Sequence, residues 1–151
     1  MIKLSVNINK IATLRNARGE NQPDLLKVAK DIQKFGANGI TIHPRPDQRH
    51  IKFNDVFELK NVIKTEFNIE GNPSLDFLRL VKKNLPDQVT LVPDSEKVIT
   101  SDSGWDTVSN KFFLIDVINE LKELGIRTSI FVDPDQKMID GALEAGADRI
   151  E

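Results

Sequence analysis

Phe35-Gly36-Ala37-Asn38-Gly39-Ile40 reads as the end of a helix that passes through glycine into a strand within a few residues. The same device returns at Leu124-Gly125-Ile126-Arg127 and at Ala145-Gly146-Ala147-Asp148-Arg149-Ile150. Glycine closes a helix in the left-handed conformation without the penalty of a Cβ. A junction used three times marks a repeated βα unit, and such repeats imply a parallel sheet with right-handed crossovers.

Working outward, β-rich runs are expected at residues 3–9, 39–43, 67–70, 89–93, 127–133 and 148–151. Helical periodicity fills the gaps at 23–35, 54–66, 74–84, 111–124 and 135–145. In the first of these, Leu25, Leu26, Val28, Ala29, Ile32 and Phe35 share a stripe. Asn54 and Ser74 stand where N-caps are expected. No G-x-G-x-x-G follows the first strand, so the dinucleotide-binding fingerprint is missing. The expected class is therefore α/β, a (β/α)8 TIM barrel. A closed barrel needs eight strands and about 200–250 residues. The 151 residues are expected to be the N-terminal part of one such domain, about the first five and a half βα units, with the C-terminal units absent. A complete open sheet of six strands is the alternative that the pattern leaves.

Composition narrows the function. A net charge of −2 and a pI near 5.7 argue against a nucleic-acid surface, so any phosphate must be met by local cations. The chain has no Cys, which excludes disulfides and thiolate metal sites. No run approaches the roughly 18 apolar residues of a membrane span, and the N-terminus lacks a signal-peptide pattern. A cytoplasmic protein with neither nucleic-acid nor membrane partners is expected.

The stretch Asn7–Gly19, NINKIATLRNARG, leads from the first strand toward the helix opened by Pro23 and Asp24. Strand-to-helix connections usually take about 2–6 residues. This one reads as a long polar loop gathering Asn7, Asn9, Lys10, Arg15, Asn16 and Arg18, a composition suited to anions. Barrel chemistry sits where strands end. His43 and Arg45 follow the second strand, Glu70 the third, Asp94 the fourth and Asp133 the fifth, with Glu151 on the sixth. Asp94 and Asp133 read as caps of the following helices. Glu70 reads as functional, because Ser74 is already available as a cap. The loop from His43 to His50 holds both histidines of the chain, two arginines and two prolines. Proline stiffens such a loop, histidine transfers protons near neutrality and arginine forks onto phosphate. The histidine spacing matches no tight ligand pair, so no metal is expected. Residues 93–110, PDSEKVITSDSGWDTVSN, read as a polar lid with hydroxyls at Thr100, Ser101 and Ser103, a flexible Gly104, and Trp105 packed on the rim.

These motifs resemble the pyridoxine 5′-phosphate synthases of deoxyxylulose-dependent vitamin B6 synthesis. The resemblance rests on Val6-Asn7-Ile8, on IATLRNARG at 11–19, and on Gly39–His43 with Arg45 and Arg49-His50-Ile51. Leu91-Val92-Pro93 and Ala147–Glu151 extend it along the whole chain. It implies a (β/α)8 barrel that condenses 3-amino-2-oxopropyl phosphate with 1-deoxy-D-xylulose 5-phosphate, giving pyridoxine 5′-phosphate, phosphate and water. It implies no metal or organic cofactor, and a homo-octamer for the full-length protein. By motif, Asn7 and Arg18 bind the aminoketone phosphate, while Asn9, Lys10, Arg45, His50 and Thr100 bind deoxyxylulose phosphate. His43 and Glu70 accept protons, and Glu151 stabilises a transition state. Asn9-Lys10 departs from the family's usual Asp-His, and Gly71-Asn72 replaces small apolar residues after Glu70. The family's C-terminal third, absent here, supplies a proton-donating His and glycine-rich phosphate loops, so the 151 residues alone are expected to be inactive. A non-catalytic phosphate-binding or assembly module on the same half barrel is the competing function.

Overall fold

The computed structural model describes residues 2–94 and 101–151. Contacts divide the chain into two compact units, Met1–Glu70 and Gly71–Glu151. Each consists of parallel strands that follow one another in sequence order through helices. That is the βα repeat of a (β/α)8 barrel, present here in part.

In the first unit β1 (Ser5–Asn7) is followed by α1 (Asn9–Arg18), α2 (Leu25–Lys34), β2 (Gly39–Ile42), α3 (Phe53–Val62) and β3 (Glu66–Gly71), whose last residue falls in the second unit. β2 pairs with β1 in the register Val6↔Ile40 and with β3 in the register Ile40↔Phe67. All four residues of β2 are buried, as a parallel strand covered on both faces requires. Ile8, Leu25, Ile40, Ile42, Leu59, Phe67 and Ile69 form the core of this unit.

The second unit carries α4 (Leu75–Asn84), β4 (Gln88–Leu91), α5 (Lys111–Glu123), β5 (Arg127–Ile130), α6 (Gln136–Glu144) and β6 (Arg149–Ile150). β5 pairs with β4 and with β6, and the last pairing continues past β6, where Glu151 N–H donates to Ile130 O. Val89, Leu91, Leu114, Ile118, Leu121 and Ile130 are its fully buried core.

The helix ends follow local chemistry. Asp24 accepts from Leu26 and Lys27 N–H to start α2, Ser74 accepts from Phe77 N–H to start α4, and Asp135 accepts from Lys137 and Met138 N–H to start α6. Gly36, Gly125 and Gly146 all have positive φ, so the three repeated junctions use glycine as the sequence implies.

Four expectations need correction. Residues 9–18 are a helix, not a polar loop. α1 buries only Ala12 and Arg15 and therefore shows no broad apolar stripe. It is held instead by Ile8 and Ala12 one turn apart and by the ion pair of Arg15. Lys52, not Asn54, is the N-cap of α3, and Asp55 accepts from its N–H at 2.7 Å. Neither expected aspartate is a cap: Asp135 caps α6 while Asp133 accepts from Gly104 N–H at 3.1 Å, and α5 begins at Asn110 without a side-chain cap. Asp94 pairs with Ser101. Finally, Gly104 serves close approach. A Cβ there would come within 2.3 Å of the Val132 main chain, and Trp105 N–H donates to Phe131 O at 2.8 Å. Residues 104–105 are thus tied to the end of β5, and Trp105 packs against Phe113, as its rim-packing role suggests.

Two stability outcomes follow for the full-length protein. Gly104→Ala forces main chain apart and is expected to cost about 1–3 kcal/mol. Asp24→Ala removes a cap and is expected to cost about 1 kcal/mol. Both are read as shifts in the denaturant midpoint at constant slope.

Candidate active site

The first unit brings together most of the residues singled out in the sequence. His43 and Arg45, directly after β2, are 7% and 4% exposed, and Glu70 near the end of β3 is 9% exposed. Burying three ionisable groups side by side is costly unless they are paired or used. His43 Nδ1 stands 4.0 Å from Glu70 Oε2, an ion-pair separation once the imidazole is protonated. The His50 ring lies across from that of His43, with centroids 5.9 Å apart and planes tilted by 59°.

Asn9 is placed by α1. As the first residue of that helix, it accepts the His43 N–H on Oδ1 at 2.8 Å, while its own N–H donates to Asn7 Oδ1 at 2.9 Å. The helix start is thereby stitched to the end of β2. The exposed side chains of Asn7, Lys10 and Arg18 lie on the same short stretch. Beneath β2 and β3 the strand interiors are not wholly apolar. Ser5 Oγ, Thr41 Oγ1 and Asn68 Nδ2 form a hydrogen-bonded row across β1, β2 and β3, and Thr41 and Asn68 are buried. Alternation alone gives no warning of this row; hydroxyls and an amide facing one another in register are its only signal.

His50 is pushed down to a pKa of about 4, first by burial and then by Arg45; Arg49 and Lys10 add to the effect and Asp47 opposes it. Its Nδ1 accepts the Ile51 N–H at 3.0 Å, so the ring proton sits on Nε2. At neutral pH His50 is an uncharged donor, whereas Arg45 remains a cation.

In the second unit Glu151 accepts a hydrogen bond from Thr90, and burial raises its pKa above the usual value in spite of that bond. Thr90 itself is fully buried in β4. Thr100 lies outside the described residues. Among the described residues no cluster of His, Asp and Glu is arranged to hold a metal ion, and no helix is long and apolar enough to cross a membrane.

A family model described as pyridoxal phosphate biosynthesis protein PdxJ matches residues 4–151. The chain belongs to the PdxJ family. Relatives named pyridoxine 5′-phosphate synthase are 61% identical in Cytophaga hutchinsonii, 64% in Flavobacterium johnsoniae and 65% in Christiangramia forsetii, each over all 151 residues. The chain spans 63–64% of the length of these relatives. Solved structures share the fold at low identity. A flavocytochrome b2 mutant with benzoylformate aligns with a TM-score of 0.65 at 12% identity, covering 95% of this chain and 40% of that one. A D-psicose 3-epimerase aligns with a TM-score of 0.54 at 14% identity, covering 99% of this chain and 62% of that one. The description of the PdxJ family places it in vitamin B6 biosynthesis.

The His50 ring gives a pH signature. Its folded pKa lies below its unfolded value of about 6.5, so the unfolded state binds more protons between the two values. Stability carried by neutral His50 is complete above about pH 6.5 and is lost as pH falls toward about 4. In the full-length protein, His50→Gln is expected to flatten the pH dependence of the denaturant midpoint within that window. Parallel curves for the two proteins would show that His50 is solvated.

Proposed function

We propose that the full-length protein condenses 3-amino-2-oxopropyl phosphate with 1-deoxy-D-xylulose 5-phosphate to pyridoxine 5′-phosphate, releasing phosphate and water. The observation that carries this reading is the buried pair of His43 and Glu70, 4.0 Å apart beside Arg45 and His50, in a chain of the PdxJ family. Ring closure requires an amine to attack a ketone, followed by dehydration and enolisation. Those steps move protons at carbon, nitrogen and oxygen and call for bases and acids held close to the substrates. His43 and Glu70 accept protons, and their burial strengthens every charge interaction between them and the substrate. Once it has taken a proton, His43 is stabilised by the Glu70 carboxylate.

Recognition of two phosphorylated substrates is divided by charge. Asn7 and Arg18 bind the aminoketone phosphate. Arg45 supplies a planar cation for deoxyxylulose phosphate, and Asn9, Lys10, His50 and Thr100 complete its site. Glu151, with its pKa raised by burial, stabilises a transition state in which a nearby oxygen carries a proton. The reaction is taken to use no metal or organic cofactor. Residues 1–151 without the remainder of the barrel are inactive in this reading, and the full-length protein acts in the cytoplasm as a homo-octamer.

The test is turnover by the full-length enzyme with both phosphates supplied. His43→Asn and Glu70→Gln are each expected to lower kcat by about 10²–10⁴-fold with the fold intact. Undiminished turnover in either variant would remove that residue from the proton path. Phosphate binding without turnover in the full-length wild type would instead mark a binding or assembly module.

A further inference from the structure

Arg15, Asn16 and Asp55 carry no role in the reaction as assigned above, yet they form a densely bonded buried cluster. Arg15 Nη1 and Nη2 donate to the two carboxylate oxygens of Asp55, each at 2.8 Å, and both side chains are about nine-tenths buried. Arg15 Nε and Nη2 also donate to Asn16 Oδ1, at 3.2 and 3.0 Å. Asn16 Nδ2 in turn donates to the His50 carbonyl at 2.8 Å and to that of Arg49 at 3.3 Å, and Arg15 Nη2 reaches the His50 carbonyl at 3.4 Å. A cavity of about 240 Å³ opens beside the cluster. It is a poor anion site, because the Arg15 cation is already neutralised by Asp55.

The cluster therefore points inward, at the main chain of His50. This matters because the ring orientation depends on that main chain: Ile51 N–H occupies Nδ1 and leaves Nε2–H as the donor. We propose that Arg15, Asn16 and Asp55 are positioning residues, which hold His50 by its main chain so that Nε2–H, a neutral donor, is offered to the deoxyxylulose phosphate substrate. The proposal rests on the reading of His50 as a contact for that substrate.

The surroundings of the ring agree. Arg45, Arg49 and Lys10 face it as cations, Asp47 as the opposing carboxylate, and His43 lies 5.9 Å away. A charged His50 would add a cation beside three others and would oppose proton uptake by His43. A neutral His50 leaves His43 free to act as a base while still binding a substrate oxygen. Lysine at position 15 would not serve, because a single ammonium cannot bridge both Asp55 oxygens while also holding Asn16.

The experiment uses the full-length enzyme with Asn16→Ala and Asp55→Asn. The first readout is hydrogen–deuterium exchange at the imidazole C2 carbon of His50, followed by mass spectrometry across pH. The exchange midpoint of the wild type is expected near the value of about 4, and in both variants it should climb toward the ordinary value of 6.5 as the ring leaves its seat. The second readout is kinetic. KM for deoxyxylulose phosphate should rise about tenfold, as expected for a misplaced hydrogen-bond donor. KM for the aminoketone phosphate and kcat should stay within about twofold of wild type. An unmoved midpoint, or KM values that rise together for both substrates, would overturn the proposal. Should Asp55→Asn fail to fold, Asn16→Ala alone decides, since it deletes amide bonds and strands no buried charge. Failure of the wild type to turn over the two phosphates refutes the functional reading separately, because the exchange midpoint needs no turnover.

Discussion

A buried guanidinium facing a buried carboxylate cannot be left half-made. Removing either Arg15 or Asp55 strands a charge in a place where desolvation costs several kcal/mol. The first unit is arranged around that constraint. Asp55 uses one oxygen for Arg15 and shares the other between Arg15 and the N–H of Lys52. It thus fastens α1 to α3 and starts α3 in the same stroke. Arg15 in turn fixes Asn16, and Asn16 fixes the loop after β2. The geometry of the loop that carries His50 is therefore set from below, by a pair about nine-tenths buried.

The strands impose a second constraint. A parallel strand covered on both faces has no water to satisfy a polar side chain, so each one must find a partner in its neighbour. Ser5, Thr41 and Asn68 do this across β1, β2 and β3. In the second unit the Gln88 side-chain Oε1 accepts from both Arg127 and Arg149, and Thr128 donates to Asp148 through its N–H and its hydroxyl. These rows fix strand register as firmly as apolar alternation does, because a one-residue slip would face a donor with a methyl group.

The repeated glycine junctions make the βα architecture legible in the sequence, since positive φ at a helix end is a demand that few residues other than glycine meet. The cluster at the strand ends was readable for a related reason: His43 and Arg45 follow directly on a strand buried on both faces and Glu70 lies within one, where an ionisable group is costly unless paired or used. α1 was not readable. Its apolar residues Ile11 and Leu14 stay partly or largely exposed, and its stability comes from tertiary partners 35–40 positions away in sequence, His50 and Asp55. Helical periodicity records burial, and a helix anchored through an arginine leaves almost none to record. Gly104 misled in the opposite way. Its sequence context among Ser and Asp suggests freedom, whereas the structure uses the missing Cβ to admit the Val132 main chain.

The helical state of residues 9–18 also decides how Asn9 acts. In a loop, an amide at this position is one more anion contact. At the start of a helix, its Oδ1 accepts the backbone N–H of His43, the residue proposed to accept a proton. An aspartate at this position would offer the same acceptor with a full negative charge beside the imidazole and would favour its protonated form. Asparagine keeps the hydrogen bond and withdraws the charge. The neighbouring Lys10 goes further in the same direction, since it places a cation among the groups that hold His50 neutral. Asn9 and Lys10 are electrostatically consistent with each other: Asn9 accepts the His43 N–H without bringing a charge to the imidazole, and Lys10 lowers the proton affinity of His50.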